Sequence, residues 1–440
     1  MLIEFSVGNF RSFREEVTFS MVAAPLKSKN KELDEDNVFE VLGQPALLTS
    51  AAVYGANASG KSNFVKAIVF MRNFVMKSQQ ETQATGAIDV DPFVLSTTTE
   101  DQPSYFEMVF VADGTRYRYG FELTTERVVS EWLYHVPKKL ETRLFERTLD
   151  DYSMSSVFKE GKGIKERTRP NTLFLSAVAQ WNGSIAQSIV AWFRRLGIAS
   201  GLQDIGMRLY TVGRLVDDED RDAIIKLVRS LDLAIDNITV KPKTVLSNAL
   251  PVKMPDRVKT ALRLLVEEQE NTQLGVYTAH PKFDTEGKRV AEVDFDLDER
   301  ESDGTQKLFD LAGPIVTALR RGQVLVVDEF DARLHPLMTV ELVRRFNSTE
   351  TNPNHAQLIF TTHDTNLLAN HIFRRDQVWF AEKDRLGGTD LYSLAEFKVE
   401  TASGSSSVVR NDASYARDYI KGRYGAIPML GNLRRVVVGN

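Results

Sequence analysis

An octapeptide near residue 60 limits the folds open to this chain. Gly55-Ala56-Asn57-Ala58-Ser59-Gly60-Lys61-Ser62 fits G-x-x-x-x-G-K-[ST] at every position. Context strengthens the match. The apolar run Leu47–Tyr54 leads in as a buried strand, and Ser62–Lys77 leads out with Val65, Ile68, Val69 and Phe74 at helical spacing. Glycines let the backbone wrap closely around a phosphate, and the free N–H groups at the helix start point at its oxygens. Gly55, Asn57, Ser59, Gly60, Lys61, Ser62 and Asn63 therefore form the expected cradle. Lys61 would neutralise the outer phosphates and the Ser62 hydroxyl would ligate Mg²⁺.

Two later strands supply what a phosphate loop lacks. Val324-Leu325-Val326-Val327-Asp328-Glu329 reads as a buried parallel strand tipped by two carboxylates. Asp328 would hold Mg²⁺, and Glu329 could polarise an attacking water. Leu358-Ile359-Phe360-Thr361-Thr362-His363 is another apolar strand, ending in a His placed to hydrogen-bond a terminal phosphate.

Composition removes several classes. There is no Cys among 440 residues, so disulfides, thiolate metal sites and a Cys nucleophile are excluded. The net charge of −5 gives no general attraction to nucleic acid, so any such contact needs a local patch. Arg167, Arg169, Lys241, Lys243, Arg374 and Arg375 form small basic clusters, read mainly as solvated surface. The start, MLIEFSVGNFRSF, does not read as a secretory signal, and runs such as Val324–Val327 are too short to span a bilayer. The expectation is a soluble, cytoplasmic protein with no membrane contact. Asp294, Asp296 and Asp298 alternate with Val293, Phe295 and Leu297, so the acids are expected to face water rather than hold a metal.

The order of patterns implies a nucleotide-binding core assembled from both ends of the chain. Residues 1–180 carry the phosphate loop and a run of short strands from Phe93 to Glu146. Residues 181–290 read as an inserted, mostly helical lobe, with helical pattern at 183–235 and 253–270. Residues 291–400 return to strand–helix–strand order, and 401–440 form a tail beginning in a Ser/Gly-rich linker.

Taken together, these residues resemble the ATPase heads of the ABC superfamily in its SMC/RecF branch. Further segments are similar to that branch. Asn9-Phe10-Arg11-Ser12-Phe13 resembles its opening strand and turn, which implies that Arg11 and Ser12 approach the nucleotide. Glu301-Ser302-Asp303-Gly304-Thr305-Gln306 stands where the family has its signature loop, usually Ser-Gly-Gly, with Asp303 replacing the middle glycine. Phe330–Pro336 resembles the D-loop. Thr172–Gln180 resembles an apolar strand running into the Q-loop, which implies a contact from Gln180 to Mg²⁺ and the γ-phosphate.

The implied fold is α/β, a P-loop NTPase with mixed sheets around a parallel core. The implied cofactors are ATP and Mg²⁺, and the implied activity is ATP hydrolysis with Glu329 and His363 as catalytic residues. Ser302 and Gly304 would serve the nucleotide of a second copy in an ATP-dependent homodimer. Tyr419–Pro428 is similar to a bacterial AAA-labelled subgroup that includes RloA and AbiLi-like defence proteins, with Septu/retron ATPases more distant. That similarity implies control of a separately encoded nuclease- or toxin-like effector in anti-phage defence. The alternative is a RecF-like DNA-binding ATPase of repair or recombination.

Overall fold

The computed structural model describes residues 1–28, 30–81, 86–200, 205–216, 220–232, 234–244, 272–400, 406–409 and 414–428. The chain divides into two compact units, Met1–Leu202 with Ala318–Asn440, and Gln203–Thr317.

The first unit is built on two sheets. One has the order Gly197–Ser200, Val324–Asp328, Gln357–Thr361, Ser50–Tyr54, Val378–Lys383 and Thr389–Ser393. Its first five strands run parallel, and only Thr389–Ser393 is antiparallel to its neighbour. Burial on both faces explains the near-continuous apolar runs read in the sequence. The second sheet is antiparallel and seven-stranded, with Leu2–Gly8 between Val17–Ser20 and Ser104–Ala112. Its outer strands are Thr115–Leu123, Val128–Val136, Thr142–Thr148 and Asp151–Met154. Asp113-Gly114, both at positive φ, makes the tight turn that suits the right-handed twist of its flanking strands.

The helix Lys61–Glu81 joins both sheets into one core. Phe64, Ala67, Ile68, Met71 and Val75 are buried at the spacing of a single helix face. Phe64 packs edge-on against Phe5 of the antiparallel sheet, while Ala51, Val53, Val326 and Ile359 of the parallel sheet share the same cluster. Burying such side chains is worth roughly 1.5–3 kcal/mol each, which fixes the helix and the loop at its N-terminus.

The inserted unit starts later than the sequence pattern suggests. The helix Ser184–Arg195 stacks Trp192 on Phe110 with ring centroids 4.2 Å apart, and Gly197–Ser200 extends the parallel sheet. Those contacts tie residues 184–200 to the first unit, so the second runs from 203 to 317 rather than from 181 to 290. It also holds a three-stranded antiparallel sheet, Asn237–Thr244, Thr272–Phe283 and Arg289–Asp296, that helical patterning did not announce. The helix expected at 253–270 lies outside the described residues.

Within the second unit, Pro314 removes the N–H that would bond the Asp310 carbonyl. The Thr211 hydroxyl of the helix Ile205–Val216 donates to that carbonyl instead, at 3.0 Å. Arg208 pairs with both Asp310 and Asp298.

The tail is no separate element in its described part. Tyr419 of the helix Tyr415–Ile420 packs its ring against Tyr54 and Phe380, at the end of the phosphate-loop strand and on its neighbour. Ser406–Val408 pairs with Lys398–Glu400.

Candidate functional site

Three adjacent parallel strands deliver the three motifs to one edge. Thr361 is level with Val53, and Val327 with Phe360, so the C-terminal ends of Ser50–Tyr54, Gln357–Thr361 and Val324–Asp328 line up. At about 4.8 Å per strand, the outer two of these ends lie roughly 10 Å apart. Open parallel sheets bind their ligands there, beyond the carboxyl ends of the strands. Asn57, Ala58, Ser59, Gly60, Lys61, Ser62 and Asn63 line a pocket of about 380 Å³ together with Glu329, His363 and Lys383.

The loop's shape depends on its glycines. A Cβ on Gly55 would collide with the Ala381 carbonyl and Ser59 Oγ, and one on Gly60, at φ +114°, with the Thr389 side chain. Phe64 N donates to Gly60 O at 2.9 Å, which starts the helix. The first N–H groups of a helix have no partner within it, so those of Lys61, Ser62 and Asn63 point back into the loop.

Lys61 is 6% exposed, and its ammonium donates to the Gly55 and Ala56 carbonyls at 2.8 and 3.0 Å. Burial pushes its pKa down to about 8, against the opposing pull of Asp328, Glu329 and Asp331. His363, at the pocket mouth, is also held below the ordinary imidazole value. Partial loss of hydration is the larger cause and the Lys61 charge the next.

The donors suit a magnesium–triphosphate. Ser59 is 3% exposed and its Oγ has no partner among the described residues, a buried hydroxyl that a phosphate oxygen would satisfy. Ser62 and Asp328 offer hard oxygen donors of the kind Mg²⁺ takes. The acids are held by backbone geometry. Glu329 has a left-handed φ of 51°, its N–H donates to Thr361 Oγ1 at 2.7 Å, and Thr361 Oγ1 donates to Asp328 Oδ1 at 2.6 Å. Asp331 Oδ2 accepts from the His363 N–H at 3.4 Å, so the D-loop-like turn and the His strand meet. His335 caps the helix Pro336–Asn347, its Nδ1 accepting from Leu337 N at 3.2 Å.

Other expected residues lie elsewhere. Ser12 sits behind the loop rather than in the pocket. Its Oγ accepts from Asn63 Nδ2 at 2.8 Å and lies 2.8 Å from the Thr389 hydroxyl, itself 2.9 Å from the Ser59 carbonyl oxygen. Arg11 is ion-paired with Asp91 at 2.5 Å and does not line the pocket. Gln180 ends a helix, Phe174–Gln180, not a strand. That helix packs beside the far half of the phosphate-loop helix, where Ser176 Oγ donates to Val75 O at 2.7 Å. Val75 is 14 residues beyond Lys61, roughly 21 Å along the helix axis. The strand that does end beside Asp328 is Gly197–Ser200, with Ser200 level with Asp328. Gly201-Leu202-Gln203-Asp204 follow it in the chain and lie outside the described residues.

Ser302 and Gly304 belong to the second unit. Ser302 Oγ accepts from Thr305 N at 3.1 Å, capping the helix Asp303–Arg321, so the signature-like segment is a regular helix start.

The basic clusters are largely paired. Lys241 and Lys243 meet Asp294 and Asp296, and Arg374 is buried against Asp376 and Asp34. Among the described residues no group of three His, Cys, Asp or Glu side chains could hold a metal, and no helix is long and apolar enough to cross a membrane. Lys383 had escaped the sequence reading. It ends a parallel strand beside the phosphate-loop strand, and carboxyl strand ends are where site residues gather.

Residues 50–369 match a family model described as "AAA domain, putative AbiEii toxin, Type IV TA system". No curated protein matches the chain. Similar solved structures include the SMC head domain from Thermotoga maritima, 14% identical over 89% of this chain and 98% of that one, with a TM-score of 0.38. The SmcHead bound to the C-winged helix domain of ScpA is 13% identical over 89% and 97%, with a TM-score of 0.44. The Smc head with an extended coiled coil, bound to the C-terminal domain of ScpA derived from Pyrococcus furiosus, is 12% identical over 89% and 96%, at 0.38.

Proposed function

The chain belongs to this AAA_21 family of AAA domains, and from that premise we propose that it binds and hydrolyses ATP. One observation carries the reading: the phosphate loop, Glu329 and His363 line a single pocket at the ends of neighbouring parallel strands. The Lys61 ammonium leaves the loop carbonyls for the β- and γ-phosphates, and the helix-start N–H groups hold their oxygens. Ser62 and Asp328 would hold Mg²⁺, which would neutralise phosphate charge. The Glu329 carboxylate takes a proton from water as the water oxygen bonds the γ-phosphorus and the bond to the β-bridging oxygen breaks. ADP and inorganic phosphate result. His363 hydrogen-bonds the γ-phosphate and reports its loss.

The finer reading concerns assembly. The capped helix start at Ser302 and Gly304 offers its N–H groups to the nucleotide of a second copy, giving a homodimer closed around ATP in the cytoplasm. Closure controls a separately encoded effector in bacterial defence, a setting that the family's toxin–antitoxin description favours. The test uses a tagged Glu329→Gln protein with ATP. Light scattering should give twice the mass of the nucleotide-free protein, and affinity purification should bring down a stoichiometric partner. An unchanged mass would remove the dimer. Recovery of nuclease-sensitive DNA, with DNA-stimulated hydrolysis that falls steeply with salt, would move the role to a DNA clamp.

A further inference from the structure

Thr361 is fully buried, yet its hydroxyl bonds both the Asp328 carboxylate and the Glu329 backbone N–H. The roles in this contact are fixed by chemistry. A backbone N–H can only donate, so Thr361 Oγ1 accepts from Glu329, and its single proton goes to Asp328 Oδ1. The Phe330 N–H also donates to the Thr361 carbonyl at 3.0 Å. Three successive residues at the strand tip are therefore fastened to one residue of the neighbouring strand. The middle one, Glu329, has a left-handed backbone that a non-glycine residue keeps only when its surroundings hold it.

We propose that Thr361 is a positioning residue for hydrolysis: its hydroxyl fixes the Asp328 carboxylate for Mg²⁺ and the backbone from which Glu329 reaches the water. This rests on the ATPase reading above. The bond to Asp328 holds its Oδ1 and so limits rotation of the carboxylate. The bond from Glu329 N holds the φ that aims its side chain. Valine has the same shape and β-branching, so it preserves the strand while deleting both bonds, and Ser retains both.

The experiment measures phosphate release and mant-ATP binding for wild type, Thr361→Val, Thr361→Ala and Thr361→Ser, each against Mg²⁺ concentration. The expected T361V result is a kcat lower by about ten- to hundredfold, with a raised Mg²⁺ midpoint. Mant-ATP affinity without Mg²⁺ should be unchanged, and T361S should restore kcat to within about threefold. A merely structural role would lower thermal stability and binding together and would not single out the Mg²⁺ midpoint. If T361V does not fold, T361A against T361S carries the same comparison. Wild-type kcat and Mg²⁺ midpoint in T361V or T361A would overturn the proposal. Equal phosphate release by wild type and Lys61→Ala would instead remove the ATPase reading. In that event the Mg²⁺ midpoint of mant-ATP binding decides: raised in T361V it supports the positioning role, unchanged it overturns it.

Discussion

The Lys61 ammonium is folded back onto the Gly55 carbonyl, 2.8 Å away, inside the loop it is expected to serve. It is thus held out of water at the cost of a pKa lowered to about 8. An ATP phosphate stabilises the charged form, so the bound state keeps its proton to higher pH than the free protein.

That relationship predicts a pH dependence with a definite sign. Below about pH 8 the free protein already carries the proton, and this group leaves ATP affinity flat. Above it, binding must take up a proton, so affinity falls by up to about tenfold per pH unit. Lys61→Arg, charged throughout, should flatten the profile. Calorimetry at pH 7.5 and 9.5 in two buffers checks this, and equal wild-type affinity at both values would contradict it.

Lys383 brings a second cation to the pocket without a motif to announce it. Lys383→Ala should raise the KM for ATP about three- to tenfold with a smaller change in kcat, and Lys383→Glu should raise it further. Steady-state kinetics decide, and an unchanged KM in the charge reversal would remove Lys383 from the site.

The position of Gln180 makes a prediction of its own. Gln180 ends a helix beside the far half of the phosphate-loop helix, so Gln180→Ala should hydrolyse ATP at the wild-type rate. A Gln180→Ala protein slowed about tenfold or more in phosphate release would restore Gln180 to the site.

A stability prediction concerns Glu131, buried on the strand Val128–Val136 of the antiparallel sheet. Its carboxylate accepts from Phe174 N, Leu175 N and the Tyr119 hydroxyl at 2.6, 2.9 and 2.9 Å, with Arg147 3.6 Å away. Burial raises its pKa, with the Arg147 charge opposing. Glu131→Ala leaves two helix-start N–H groups without their acceptor and the buried Arg147 charge, still bonded to the Leu149, Pro170 and Thr172 carbonyls, without its counter-charge, costing about 3–5 kcal/mol. Removing Arg147 as well should cost less than the sum of the single changes. Urea denaturation of the single and double variants measures both.

What the sequence disclosed follows from distance along the chain. The phosphate loop and the tip at Asp328-Glu329 are runs of consecutive residues whose chemistry is set locally, so spacing alone revealed them. Thr172–Gln180 was misread because a short apolar run has no period to tell a buried strand from a buried helix. Thr361 and Asp328 meet only because their strands pair across 33 residues, which no local pattern encodes. The sheet of the second unit escaped for the same reason, its first two strands being separated by 27 residues of chain.

The most direct test of the central claim is phosphate release from Mg²⁺-ATP by purified wild-type protein, beside Lys61→Ala and Glu329→Gln. The account predicts turnover in the wild type, loss of both binding and turnover in K61A, and retained binding with turnover at least about a hundredfold lower in E329Q. Wild-type turnover no faster than that of K61A, or an E329Q protein as active as the wild type, would contradict it.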